Sequence, residues 1–149
     1  MSVSAHSLSP TVREQSFHRL LHPLHVFLLG AADASLVGGL LSDLAYFSTQ
    51  EIQWKNFTSW LVMSGLVFMG FALLWALIDL LRGHHDRRRL GIYFLLLLAA
   101  WILGFVNELI HAKDAWASMP DALVISGIVA VLAIAATWLG LSAGQVRGS

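Results

Sequence analysis

The residues of this sequence best suited to chemistry are ionisable side chains that interrupt long apolar stretches. Asp33 is the sharpest case, because it lies deep in such a stretch and no Lys or Arg lies in any of them to pair with it. A charge inside hydrocarbon is costly, so this residue predicts a proton or cation site. The alternative interpretation is a neutral carboxyl, hydrogen-bonded to a hydroxyl of another helix such as Ser64 or Thr137.

Two histidines flank Pro23 shortly before Asp33. On an α-helix, His22 and Asp33 are about 20° apart in projection and His25 is about 60° from His22, so the three form one polar stripe. Histidines at this spacing can share a metal ion, or one can be an axial ligand of b-type haem. A bis-histidine haem also needs a histidine from another helix at the same depth. The alternative is a pair of interfacial histidines that cap the helix and meet lipid headgroups.

A second polar cluster is expected where the first and third apolar stretches end. His111 follows Asn107 and Glu108 by four and three residues, which places the three on one helix face. The full cluster consists of Asp43, Tyr46, Asn107, Glu108, His111, Asp114 and Trp116. Asp43, Glu108 and His111 could bind a divalent metal or relay protons. The competing interpretation is a hydrogen-bonded clasp, built by the whole cluster, that fixes the outer loops.

Composition indicates which elements must position these residues. The chain is 57% hydrophobic and 12% charged, whereas soluble domains are about 45–50% apolar and about 25% charged. A membrane span needs roughly 20 mainly apolar residues. Four stretches meet this requirement or nearly do: 24–47, 57–81, 90–110 and 122–143. We therefore predict an all-α fold, an integral membrane four-helix bundle with up-down topology, in contact with the lipid bilayer.

We expect the chain to consist of one transmembrane domain between two short terminal segments. Residues 1–21 are expected to be a cytosolic lead-in, residues 22–146 the transmembrane domain, and residues 147–149 a tail. The polar segment Ser48–Asn56 is expected to be the loop between the first two spans. Ridges of small residues four apart, such as Gly30, Ala34 and Gly38, favour close helix packing and a homo-oligomer.

Basic residues predict the orientation of the bundle. Seven arginines fall on the side shared by both termini and the second loop, against two lysines on the other side: Arg13, Arg19, Arg82, Arg87, Arg88, Arg89 and Arg147, against Lys55 and Lys113. Because cytoplasmic loops carry the excess of Lys and Arg, both termini are expected in the cytoplasm.

Several function classes are disfavoured by the sequence. The formal net charge is zero, so no basic field attracts nucleic acid. Cysteine is absent, which removes disulfides, thiolate metal sites and iron–sulfur ligation. No paired nucleophile and base is recognisable, so we do not expect an enzyme and assign no catalytic residue.

Short motifs at the helix ends resemble a known family. The segments that carry the resemblance are 22–25, 42–46, 52–57 with 59–61, and 111–120. They resemble a bacterial family of predicted membrane proteins catalogued as domain of unknown function 2231, over roughly residues 20–142. The resemblance implies a four-span protein of the bacterial inner membrane. Relatives joined to redox modules further imply electron transfer, haem or a membrane redox partner. The matching positions are His22, His25, Asp43, Asn107, His111, Asp114 and Trp116, and Asp33 is not among them.

Three functions follow as expectations. The first is an accessory or cofactor-binding membrane component without a catalytic site. The second is a b-type haem protein for electron transfer, with His22 or His25 as ligand. The third is a small oligomeric proton or ion transporter that uses Asp33.

Overall fold

The computed structural model describes residues 22–82, 87–112 and 119–145. Within these ranges the chain forms four helices and no strand: α1 (Pro23–Thr49), α2 (Ile52–Leu81), α3 (Arg87–His111) and α4 (Asp121–Gln145). All four are long and apolar enough to cross a membrane. The predicted all-α membrane bundle is therefore confirmed.

The ends of α1 are fixed by local chemistry. His22 is extended and its Nδ1 accepts a hydrogen bond from the backbone N–H of Leu24, 3.3 Å away. Pro23 occupies the first helical position, where its missing N–H costs nothing. At the other end Gln50 adopts the left-handed conformation, with φ 58°, and its N–H donates to the Tyr46 carbonyl over 2.8 Å. This arrangement closes the helix in the way glycine usually does.

The connection between α1 and α2 is much shorter than expected. Only Gln50 and Glu51 separate the two helices, so most of the predicted polar loop Ser48–Asn56 is helical. The prediction of a loop was wrong because polar composition was taken as the end of the helix. With 27 and 30 residues, α1 and α2 are about 40 and 45 Å long, which exceeds a hydrocarbon layer of about 30 Å. Their polar ends therefore extend beyond the apolar layer as helix.

Each helix runs antiparallel to the next, and α4 packs back against α1. The bundle therefore has a square section, with α1 and α3 parallel to each other on one diagonal. We call the end where α1 and α3 begin the N-terminal end, and the end where they finish the opposite end.

The bundle is apolar at its centre and apolar again on its outside. Large side chains with almost no exposure fill the centre: Leu29, Leu36, Val62, Met69, Leu97 and Val129. On the outside, Trp60 and Trp138 are each 76% exposed. An outer surface of this kind is stable in lipid and not in water.

Two hydrogen bonds tie neighbouring helices together through backbone carbonyls. The Trp101 indole N–H on α3 donates to the Leu66 carbonyl on α2 over 3.1 Å. The buried Thr58 hydroxyl on α2 lies 3.4 Å from the Gly39 carbonyl on α1, and 3.1 Å from the Trp54 carbonyl of its own helix. Since lipid supplies no hydrophobic drive between helices, such bonds and close backbone contact must hold the bundle together.

Gly65 marks the closest approach of α2 to α1. A Cβ at this position would lie 3.0 Å from Leu36 Cγ and 3.4 Å from the backbone carbonyl oxygen of Ala32. Neither atom is the free end of a flexible chain, so neither can move aside easily.

We predict that Gly65→Ala destabilises the bundle by about 1–3 kcal/mol, the usual cost of overpacking a tight core. The measurement is thermal unfolding of the detergent-purified protein. Gly127→Ala is the matched control, because a Cβ there meets no atom within 4 Å. An equal change in both variants would show that α1 and α2 do not approach each other this closely.

Candidate functional site

Four side chains form a buried hydrogen-bonded ring at the opposite end of the bundle. The ring consists of Asp43 from α1, Asn107 and His111 from α3, and Ser126 from α4. All four are buried, and Asp43 has no exposed surface. Three of the four helices therefore contribute polar groups to one point inside the bundle.

The hydrogen bonds of the polar ring run in a closed circuit. Asn107 Nδ2 donates to Ser126 Oγ over 2.8 Å, and the Ser126 hydroxyl donates to Asp43 Oδ2 over 2.5 Å. Asp43 Oδ1 lies 2.8 Å from His111 Nε2, and His111 Nδ1 lies 2.9 Å from the backbone carbonyl oxygen of Asn107. The circuit thus begins and ends at Asn107.

The position of the protons follows from the partners. A carbonyl oxygen only accepts, so His111 Nδ1 carries a hydrogen. One further proton then lies between His111 Nε2 and Asp43 Oδ1, shared by an imidazolium–carboxylate pair or a neutral pair. Removing this proton would leave a lone pair on His111 Nε2 facing a lone pair on Asp43 Oδ1. The ring therefore holds this proton as part of its structure.

The polar ring contains Ser, His and Asp but not the geometry of nucleophilic catalysis. In a catalytic triad the imidazole stands between the hydroxyl and the carboxylate, so that it can take the hydroxyl proton. Here the Asp43 carboxyl stands between Ser126 and His111. The Ser126 hydroxyl has no contact with the base that would activate it.

The structure brings together three of the seven residues predicted for this cluster, Asp43, Asn107 and His111. Tyr46 is buried near the end of α1. Asp114 and Trp116 lie outside the described residues. Ser126 was not predicted, although it was visible as a hydroxyl one turn and a half into an apolar stretch.

Glu108 lies beside the polar ring and not in it. It is within Coulombic range of His111 and Asp43, and its Oε2 is buried without a hydrogen-bond partner, as is Asn107 Oδ1. Among the described residues, no three His, Asp or Glu side chains are arranged to hold a metal ion. Metal binding by Asp43, Glu108 and His111 stays a prediction. In this structure the Asp43 and His111 side chains are hydrogen-bonded to each other.

A second buried polar contact joins α1 and α3 at the N-terminal end. His25 Nε2 lies 2.8 Å from the Tyr93 hydroxyl. The Trp75 indole of α2 packs against both predicted histidines, with ring centroids 4.9 Å from His22 and 5.8 Å from His25. His25 is buried, whereas His22 is exposed and caps α1.

The two contacts between α1 and α3 share one register. His25 and Tyr93 are 68 residues apart in sequence, and so are Asp43 and His111. Along each helix the two contacts are 18 residues apart, which is five helical turns or about 27 Å. The diagonal pair is therefore held at both ends, with the apolar core between.

Asp33 lies on a different side of α1. It is half-buried and about 80° around the helix from the line through His25 and Asp43, turned toward α4. The Thr137 hydroxyl of α4 lies beside it, yet this hydroxyl is buried and makes no hydrogen bond of ordinary geometry. Ser64 instead donates to the Trp60 carbonyl of its own helix.

The described histidines do not fit a bis-histidine haem. Nε2 of the buried His25 is engaged by Tyr93. Of the other histidines that the structure describes, His22 is at the same end on the same helix, and His111 is at the opposite end in the polar ring. A second ligand at the depth of His25 is not found in the described part of the chain.

Comparison with protein families identifies the chain. The model of the family described as "Predicted membrane protein (DUF2231)" matches residues 21–148. The chain belongs to this family. The resemblance of the helix-end motifs is thereby confirmed, and the DUF2231 protein is a membrane protein with four spanning helices. Comparison with curated proteins and with solved structures gives no match.

We predict that Asp43→Ala lowers the stability of this DUF2231 protein by on the order of 3 kcal/mol, because it leaves a buried imidazole and hydroxyl without their shared partner. Asp43→Asn should cost much less, since an amide can donate to a neutral His111 and accept from Ser126. The measurement is thermal unfolding in detergent.

Thr49→Ala is the control at the same end, because the Thr49 hydroxyl is exposed and bonds only to its own helix. Equal midpoints for the Asp43→Ala variant and this control would show that the polar ring does not hold the helices together.

Proposed function

We propose that this DUF2231 protein is a non-catalytic accessory component of the membrane, which assembles with other membrane proteins through its lipid-facing surface. The observation that carries the proposal is the closed circuit of the polar ring. Its side chains are used to join α1, α3 and α4 to one another. They are therefore not directed at a substrate.

The interior of the bundle supports the same proposal. Tightly packed side chains fill the space between the two polar ends, and Gly65 and Gly104 admit no Cβ without displacement of Leu36 or Leu66. Proteins have dense interiors of this kind where shape has to be kept. A rigid bundle is suited to presenting a fixed outer surface to a partner.

The proposed location is the bacterial inner membrane, with both termini in the cytoplasm. It rests on the excess of arginine on the side of the termini and of the connection between α2 and α3. In this orientation the N-terminal end faces the cytoplasm and the polar ring lies near the outer surface.

A second candidate function is proton binding at Asp33, as a step in proton or ion transport. The observation that favours it is the half-buried carboxyl on the seam between α1 and α4, well inside the apolar layer. Intramembrane carboxyls of this kind usually mark ion or proton sites.

The accessory role predicts crosslinks to a protein of defined mass from one side of the bundle. A photoreactive phenylalanine analogue would be placed, one site at a time, at exposed positions on the four helices: Leu41, Phe71, Leu95 and Trp138. After irradiation of native membranes, one or two neighbouring positions should give a discrete heterologous product, because a partner covers only one side.

Leu97 is the matched internal position, since it is fully buried and should yield no crosslink between chains. A product containing only this chain would identify the homo-oligomer instead. Crosslinks to lipid alone at all four exposed positions would contradict the accessory role.

A further inference from the structure

The N-terminal half of the bundle contains a line of polar side chains to which all four helices contribute. His25 and Asp33 come from α1, Asp79 from α2, Tyr93 from α3 and Thr137 from α4. The Tyr93 hydroxyl bonds to His25 and lies within Coulombic range of both Asp33 and Asp79. Tyr93 therefore lies level with His25, and Asp33 is eight residues, or about 12 Å along α1, further into the bundle.

On this line His25 Nδ1 is buried and makes no hydrogen bond, and the buried Thr137 Oγ1 makes none of ordinary geometry although the Asp33 carboxyl lies beside it. His25 as a whole is only 6% exposed. Buried polar atoms without a protein partner are ordinarily satisfied by water. The line can therefore take up water or hydronium next to His25 and next to Thr137.

The Tyr93 ring is held in place by the neighbouring helix α4. A Cβ on Gly140 of α4 would lie 2.9–3.4 Å from three atoms of the Tyr93 ring. The ring thus packs directly on the α4 backbone, close to Thr137, which is three residues earlier. This contact fixes the hydroxyl between His25 and the seam that contains Asp33.

The line ends at Asp33 and does not continue to the polar ring. Ten residues, or about 15 Å along α1, separate Asp33 from Asp43. The intervening layer is filled by buried apolar side chains: Leu36, Val62, Leu66, Leu97 and Val129. Polar groups thus lie on the N-terminal side of Asp33, whereas an apolar layer lies between Asp33 and the opposite end.

We propose that Asp33 is a reversible proton-binding site that exchanges protons with the N-terminal side alone, through His25 and Tyr93. This inference rests on the second candidate function, proton binding, and not on the accessory role. The ionisable groups on this side of the bundle are His25 on α1, Asp79 on α2, and Tyr93 on α3 with Arg89 one helical turn before it on the same face. From α4 the described residues contribute only the hydroxyl of Thr137.

The proton transfer balances without any redox partner. A proton binds His25 Nδ1, and the proton on Nε2 passes to the Tyr93 oxygen. The hydroxyl proton of Tyr93 moves on, by way of Thr137 or a water, to the Asp33 carboxylate. The products are a neutral His25, an intact Tyr93 hydroxyl and a protonated Asp33, and a change of tautomer at His25 resets the relay.

The first experiment uses dicyclohexylcarbodiimide, an apolar reagent that reacts with protonated carboxyls in membranes. The full chain is reconstituted in vesicles, its orientation is established with protease and an N-terminal tag, and adducts are located by mass spectrometry. Asp33 should be labelled, and labelling should rise as the pH falls on the N-terminal side only. Asp43 has no exposed surface and serves as the internal control that should not react.

The second experiment measures the relay itself. The infrared carbonyl band of Asp33, identified by its loss in Asp33→Asn, is followed in time after a pH jump on the N-terminal side. Tyr93→Phe should slow its rise by about a hundredfold, the contribution of one positioned proton-transfer group. Tyr46→Phe is the matched control, because it removes the other tyrosine hydroxyl of the chain, at the opposite end of α1.

The outcomes separate the inference from the function on which it rests. If Asp33 is neither labelled nor contributes a carbonyl band at any pH in the folded protein, proton binding and the relay both fail. The other outcome is that Asp33 binds protons while its labelling follows the pH on the opposite side, or while its carbonyl band rises equally fast in Tyr93→Phe. In either case proton binding stands and the proposed route is overturned.

Discussion

The structure depends on two buried hydrogen bonds across the diagonal of the bundle, His25 to Tyr93 and Asp43 to His111. Helices in lipid gain nothing from hiding apolar surface, because the lipid is as apolar as the side chains. Parallel helices on a diagonal do not touch closely either, so direct packing between α1 and α3 leaves their relative height free. Two polar contacts in one register, five turns apart, remove that freedom.

The apolar side chains between these two hydrogen bonds pack well only at the relative height of α1 and α3 that the hydrogen bonds impose. Gly65 on α2 lies against Leu36 and the Ala32 carbonyl, and Gly104 on α3 lies against Leu66. A shift of α1 by a single residue would place side chains where these glycines now make room. The hydrogen bonds and the small residues therefore select the same arrangement, and agreement between levels of this kind defines one native state.

The sequence was sufficient to predict the four helices and part of the polar ring. Apolar length predicts four spans, and Asp43 and His111 end two helices that run in the same direction, so their meeting could be anticipated. Ser126 could not, because a serine in an apolar helix can satisfy itself on its own backbone, as Ser64 does. Tyr93 was missed for a similar reason, since an aromatic residue in a span looks like packing until its hydroxyl is placed opposite a histidine.

The two polar ends differ in connectivity more than in composition. In the polar ring the chain of donors and acceptors starts at the Asn107 side-chain amide and returns to the Asn107 backbone carbonyl, so these groups are directed at one another, and Asn107 Oδ1 is left without a hydrogen-bond partner. The line at the N-terminal end is open, because His25 Nδ1 stands at its start and the half-buried Asp33 at its finish. A single bundle can therefore use histidine twice: at one end His111 holds helices together, and at the other end His25 would pass protons along the route that we propose.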